Sequence, residues 1–514
     1  MKDVPRSDGS PHHHVHLNPL RLIHTLLHQE KHWLNTIPRP RAIILLALTQ
    51  GLASLNLAAL GTVAPSLESS LHIGNIAYGL LSTASILTGA AAALPVGILG
   101  DRHQRVPLLT KLILLWALAM LFSGISPGFD WFLITQMLAG AAGVSVGPII
   151  ASISGDLFPP SWRGRAFGLI VGGELLGAGI GMILAGTVNT LANWRMVFVV
   201  LAAMAILLAY FLWKGMREPE RDNMNKLAAE LTRKSTKNAS ATSGPNPKTK
   251  RYLVDDIRKK SIKPVQKRIL PEDPTRWHWF RAARTILGIP SNLILITASS
   301  AGYFYFTGLL AFGILYLTQR FHINTMAAST LFVGAGLGGI GGVVASGWIA
   351  DFLLRKGLIT ARIWVTGIAF LLTIPFFLLA LHTNQQVLEF IWLFMGSAAL
   401  GATNPTLDAA RLDIMHSRLW GRAEGIRISL RYILEAAAPF AFGWVSTHFS
   451  QSYCHLQHCS DGYGLKVSFE IFTVVLFVAT LLMLSAIFTY PRDVATALFS
   501  QQVQKSPNDL QSDG

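Results

Sequence analysis

The sequence predicts an all-α membrane protein with twelve transmembrane helices in two pseudo-symmetric six-helix bundles. Three observations lead there: a deficit of charge, a series of long apolar runs, and an internal duplication at a near-constant offset. Of 514 residues, 51% are hydrophobic and 14% charged, whereas a soluble domain carries about 25% charged residues. Mean hydropathy is +0.43, so most of the chain is not in water. A hydrocarbon core about 30 Å thick takes about 20 helical residues. Runs of that kind lie near 42–66, 76–99, 107–125, 130–154, 165–189, 194–214, 293–318, 326–350, 360–381, 387–409, 423–447 and 465–490. Their apolarity is continuous rather than alternating, which gives helices and not a barrel.

In chain order, 1–41 reads as a cytoplasmic tail. Its polar start, MKDVPRSDGSPHHHVHL, is not that of a cleavable signal peptide. The stretch LNPLRLIHTLLHQEKHWLNTI is either an amphipathic helix on the membrane surface or a loosely ordered segment. The His12 to His16 cluster is assigned no function. Residues 42–214 form the first bundle. Residues 215–290 are a basic cytoplasmic linker, too polar to bury a core, with one helix expected near Met224 to Arg233. Residues 291–490 form the second bundle and 491–514 a cytoplasmic tail.

Orientation follows from lysine and arginine in the loops. One set carries Arg102, Arg105, Arg163, Arg165, Arg355, Lys356, Arg362, Arg418 and Arg422; the other carries only Arg195, Arg320 and Lys466. The first set is therefore read as cytoplasmic, with both termini inside. The net charge of +16 reflects this bias toward an anionic leaflet and is no sign of nucleic-acid binding. Cys454 and Cys459 both fall in the last outward loop, SYCHLQHCSDGYG. An oxidising outer compartment favours a disulfide between them. A metal site with His455 and His458, or free thiols, are the alternatives.

The duplication is explicit. GDLFPPSWRGRAFGLI from Gly155 aligns without gaps on LDIMHSRLWGRAEGIR from Leu412, so that Asp156 meets Asp413 and Arg165 meets Arg422 at an offset of 257. Gly97-Ile-Leu-Gly-Asp101 with Arg105 parallels Gly347-Trp-Ile-Ala-Asp351 with Arg355 at an offset of 250. Parallel repeats of this kind build a midplane site and let one half rock against the other.

Gly97-Ile-Leu-Gly-Asp101-Arg102-His-Gln-Arg105 resembles the signature loop of the major facilitator superfamily, and Gly347 to Arg355 resembles its degenerate second copy. The run GDLFPP, RGRAFGLI, GELLGAGIG and WR is similar to bacterial members near the spinster-like branch, although the first span lacks the acid that branch carries. The resemblance implies a conformational latch at the cytoplasmic ends. In it, Asp101 meets the helix start at Gly421-Arg422, Arg102 or Arg105 pairs with Asp156, Asp351 meets Gly164-Arg165, and Arg355 pairs with Asp413. The physics is that of an anion at a helix N-terminus. Gln136 stands where many drug exporters carry arginine. Gly173-Glu-Leu-Leu-Gly177-Ala178-Gly179-Ile-Gly181 is similar to the antiporter motif with Ala178 in place of proline; close helix packing accounts for the glycines equally well.

Four charges lie inside membrane-length segments. At about 1.5 Å per residue, Arg427 is roughly 6 Å into the eleventh span, Arg431 about 12 Å and Glu435 about 18 Å; Glu174 is about 13 Å beyond Arg165. Glu424, Arg427, Arg431 and Glu435 share one face. Facing lipid, each would cost about 2.5–3.5 kcal/mol, so that face turns to protein or a wet cavity. The set can orient the span as an ion-pair network, hold an anionic or zwitterionic head, or carry the coupling proton on Glu435 or Glu174. Asp408 and Arg411 are assigned to a cytoplasmic gate. Gln50, Asn56, Gln136, Tyr303, Tyr305 and Asn404 are expected to line the cavity, whose aromatic walls suit an amphipathic or lipophilic ligand. Inside the spans there is no nucleophile constellation or metal-spaced cluster, and in the linker no phosphate-cradling glycine loop. The expectation is a monomeric, cofactor-free, proton-coupled exporter in a plasma membrane such as the bacterial inner membrane, with an importer, a lysolipid or organic-anion carrier, or a non-transporting receptor as alternatives.

Overall fold

The computed structural model describes residues 40–157, 160–219, 257, 260–270, 274, 277–416, 419–454 and 462–503. The calls on the His-rich start, the surface helix at 17–37, the linker helix near Met224 and the bond between Cys454 and Cys459 lie outside the described residues. So do the side chains of Asp101, Arg102, Asp156, Arg165 and Glu424.

The first six membrane-length segments are α1 (Pro40–Leu71), α2 (Asn75–Arg102), α3 (Arg105–Gly124), the pair α4 (Phe129–Val144) and α5 (Val146–Leu157), α6 (Pro160–Leu191) and α7 (Trp194–Gly215). A short amphipathic helix, α8 (Trp279–Leu287), precedes the second six. These are α9 (Pro290–Phe321), α10 (Thr325–Arg355), α11 (Ala361–His382), the pair α12 (Gln386–Gly401) and α13 (Thr403–Asp413), α14 (Trp420–Cys454) and α15 (Tyr463–Val503). Eleven described segments are long and apolar enough to cross a membrane. The remaining one, α14, is long enough, but its charged half keeps it below the same hydropathy. No strand occurs among the described residues. The last helix runs past residue 490 to Val503.

Two spans bend at matching places. The chain turns at Ser145 between α4 and α5 and at Ala402 between α12 and α13, and these positions are 257 residues apart. Pro148 and Pro405 follow at the same offset. Each proline lacks the N–H that would close the helix onto the turn before it, and its ring crowds the carbonyl four residues back.

Within the first bundle, α1 and α6 touch backbone to backbone. A Cβ added to Gly51 would lie 2.6 Å from Gly173 O, and one added to Gly181 the same distance from Leu55 O. Gly177 faces Gly51 likewise. Gly173, Gly177 and Gly181 of the motif are thus used for close approach.

The two bundles meet through α2 against α14, α6 against α10, and α1 against α9. The contacts between them lie toward the end of the molecule carrying residues 72–74, here called the opposite end. Asn75 Nδ2 donates to Ser446 Oγ at 2.7 Å, and Thr83 Oγ1 to Ala436 O at 2.6 Å. Gly61 abuts Leu310, Gly79 abuts Pro439, and Gly443 abuts Asn75. Tyr78 and Phe312 pack edge to face across the seam, their centroids 5.2 Å apart. At the end rich in lysine and arginine, the basic end, a Cβ added to Gly172, Gly347 or Gly425 would meet nothing within 4 Å. The protein is captured closed at the opposite end.

Candidate functional site

The ionic residues of α14 sit at the seam and interlock with α9. The two helices are neighbours that run in the same direction, so residues four apart on one meet residues four apart on the other. The Arg431 guanidinium lies over the Tyr303 ring, 4.0 Å from its centroid, and 4.9 Å from that of Tyr432. One turn on, Thr307 Oγ1 donates to Glu435 Oε1 at 3.1 Å. Arg431 Nε and Glu435 Oε2 are within ion-pair distance at 3.3 Å, yet they are not aligned for a hydrogen bond, and each lacks another partner. Arg431 and Glu435 are both buried. Neither side chain is spent on lipid; both are turned into protein, as the cost of exposing a charge to acyl chains requires.

The first bundle contributes Glu174 from α6. Its Oε1 accepts from Gln50 Nε2 of α1 at 2.6 Å. The position follows from the glycine packing, because Gly173 presses on α1 and brings the next side chain beside Gln50. Further toward the basic end, Asp408 Oδ1 accepts from Arg411 at 3.0 Å and lies 4.0 Å from Arg427. Asn404 is half-buried at the start of α13.

The other residues expected in the cavity are placed inside the bundles. Asn56 Nδ2 donates to Gln136 Oε1 at 3.2 Å, and Gln136 Nε2 to Ser123 Oγ at 3.0 Å, all buried within the first bundle. Tyr305 is packed among Phe377, Phe442 and Phe469 in the second. Their one-dimensional pattern carried no sign of which helix face was inward.

At the basic end, the expected partner of Asp413 changes. Arg355 and Asp351 are exposed, and Asp413 is instead gripped by Arg362 and accepts from Tyr490 Oη at 2.8 Å. Arg362 also donates to Ala409 O at 3.0 Å. Arg105 donates to Ser152 O at 3.2 Å. Arg105 and Arg362, like Ser152 and Ala409, are 257 residues apart. Arg362 is therefore the true repeat of Arg105, a match the sequence offered at the same offset as Asp156 and Asp413. Arg105 further binds Glu218, whose carboxylate accepts from Arg105 N and Nε, each at 3.1 Å, and from Val106 N at 2.7 Å. Glu218 thus supplies the anion at the N-terminus of α3. Gly97 rests against Pro148 of its own bundle. Among the described residues no group of histidine, cysteine and acidic side chains could hold a metal.

Two repeated helical bundles, shut at one end and carrying opposed ionic groups at their seam, define a multi-pass secondary transporter. The chain belongs to the major facilitator superfamily, whose family model matches residues 46–439. It is 24% identical over 351 residues to the uncharacterized transporter YybO of Bacillus subtilis (strain 168), covering 68% of this chain and 73% of that one. It is 30% identical to human protein spinster homolog 1 over 162 residues, 31% of each chain. Its fold matches a crystal structure of a bacterial homolog of the human lysosomal transporter spinster, in an inward-facing and occupied conformation. The TM-score is 0.68 at 18% identity, covering 89% of this chain and 98% of that one.

Proposed function

We propose that the protein is a proton-coupled exporter of a small amphipathic or hydrophobic solute, working by alternating access in a plasma membrane with the basic end and both termini cytoplasmic. In this reading the described state is open to the cytoplasm. The observation that carries it is a buried ionic couple, Arg431 and Glu435, in the second bundle, matched by a second carboxylate, Glu174, held by Gln50 in the first. Proton and solute load in alternation. A carboxylate that has released its proton at the basic end can hold Gln50 or Arg431 together with the polar head of a solute. Once the opposite end has opened, a carboxylate that takes a proton there gives up those bonds and releases the solute, and the protonated site returns to the basic end. Tyr303 gives the solute an aromatic wall beside the charges.

The test is reconstitution in liposomes under an imposed pH gradient, with internal pH read while candidate compounds are added. Solute-linked proton movement in the opposite direction is expected, and Glu174→Gln or Glu435→Gln should abolish it. Solute flux with no proton movement overturns the coupling. A second reading rests on Arg431 Nε, which is buried without a hydrogen bond: an acidic head would fill it, making the protein an importer or organic-anion carrier. Proton and solute would then move the same way in the same assay.

A further inference from the structure

The segment joining the two bundles ends in a collar against the basic end of the second. Val265 N donates to Thr496 Oγ1 at 2.9 Å and Leu270 N to Ser500 Oγ at 3.1 Å, so the chain runs along the extension of α15. Arg268 pairs with Asp493 at 3.2 Å, and the same carboxylate accepts from Ser291 N at the start of α9. Arg422, at the start of α14, donates to Pro274 O and Trp277 O. Helix α8 buries Ala282 and Ile286 on Met415, Leu419, Ala423 and Ile426. Its other side faces outward: Phe280 is 76% exposed and Arg284 is exposed, while Arg281, also exposed, lies over the Trp277 ring at 4.4 Å. Between collar and bundle is a cavity of about 250 Å³, whose polar lining includes Lys267, Arg268, Thr285, His416, Thr496 and Ser500.

This stretch is basic on balance. From 257 to 289 the sequence carries nine lysines and arginines, Lys267, Arg268, Arg281 and Arg284 among them, against Glu272 and Asp273. Asp493, the one carboxylate among the described residues that line the cavity, is already taken by Arg268 and Ser291 N. An amphipathic helix with an exposed aromatic and flanking arginines suits the boundary between headgroups and acyl chains, and an anionic leaflet attracts such a cluster.

We infer that the collar is a binding site for an anionic phospholipid. Its phosphate occupies the cavity against the Lys267 ammonium, while Phe280 enters the acyl region. Because the collar is tied to α9, α14 and α15, the bound lipid holds the second bundle as seen here. The placement rests on the basic end facing the anionic leaflet; binding itself is independent of transport and of coupling.

Native mass spectrometry of the purified full chain, titrated with phosphatidylglycerol or with phosphatidylcholine, tests it. Phosphatidylglycerol should be retained preferentially. Lys267→Gln and Arg284→Gln should each weaken it about fivefold, as expected for about 1 kcal/mol per basic residue. Deuterium exchange of the amides at 265 and 270 should slow in nanodiscs containing phosphatidylglycerol relative to phosphatidylcholine alone. If inorganic phosphate at millimolar concentration protects those amides equally, the site takes free phosphate and the lipid assignment falls. Equal retention of both lipids, or full phosphatidylglycerol binding by the double variant with an unchanged melting temperature, overturns the proposal. A protein that binds the lipid but moves no protons would leave this inference standing and sink the transport reading.

Discussion

Replacing Gly79 or Gly443 by alanine should drive the opposite end open. The contact between α2 and α14 is backbone on backbone. A Cβ at Gly79 would sit 2.9 Å from the Pro439 carbonyl carbon and 3.0 Å from Phe440 Cα; one at Gly443 would sit 2.8 Å from the Asn75 carbonyl carbon. Carbon atoms rest at about 3.5–4.0 Å, so by the same measure the bundles must part locally by roughly 0.5–1 Å. Overpacking a tight contact costs about 1–3 kcal/mol. That penalty exists only while the seam is closed, so the ratio of open to closed shifts by roughly 5- to 150-fold. Spin labels at Leu191→Cys and Val387→Cys, both exposed at that end on different bundles, in a background with Cys454 and Cys459 changed to serine, read the separation by pulsed dipolar spectroscopy. Longer distances are expected for Gly79→Ala and Gly443→Ala. Gly172→Ala, where nothing lies within 4 Å, should leave the distribution unchanged. An unchanged distribution in both seam variants, or an equal shift in the control, would refute the reasoning.

Asp413→Asn should lower stability by about 3–5 kcal/mol, because Arg362 is left as a buried charge without its counter-ion; Arg355→Ala should be nearly neutral, and thermal melts in detergent compare them. Gln136→Ala should cost about 1–3 kcal/mol by stripping the buried Asn56 and Ser123 of a partner, with solute affinity unchanged in a binding assay. Tyr303→Phe should keep the stacking of Arg431, whereas Tyr303→Leu should lose about 0.5–2 kcal/mol of cation–π attraction, read as weaker solute binding.

Much of the architecture was legible because lipid enforces length and apolarity, and duplication repeats its marks. The buried orientation of Arg431 and Glu435 followed from the expense of exposing them to hydrocarbon. The equivalence of Arg105 and Arg362 was obscured by loop length: three residues lie between Asp101 and Arg105, but ten between Asp351 and Arg362. Matching the loop motif alone therefore pointed to Arg355. The inward burial of Tyr305 and the partnership of Asn56 with Gln136 depend on which side of a wholly apolar helix faces its own bundle, and a helix that is greasy all round offers no amphipathic stripe to say so. Glu218 lay in a stretch read as linker, where no periodicity marked it as the anion for a distant helix start.

The paired bends at Ser145 and Ala402 leave α5 and α13 as stiff rods of 12 and 11 residues, each about 17 Å long. A rod on a pivot is a lever. Turning either by about 15° would carry its tip roughly 4 Å, enough to narrow a doorway while the longer portion of the same span stays still. Occlusion at the basic end is then a matter of two swinging arms, and its mechanics are separable from the larger tilt of one half-molecule on the other.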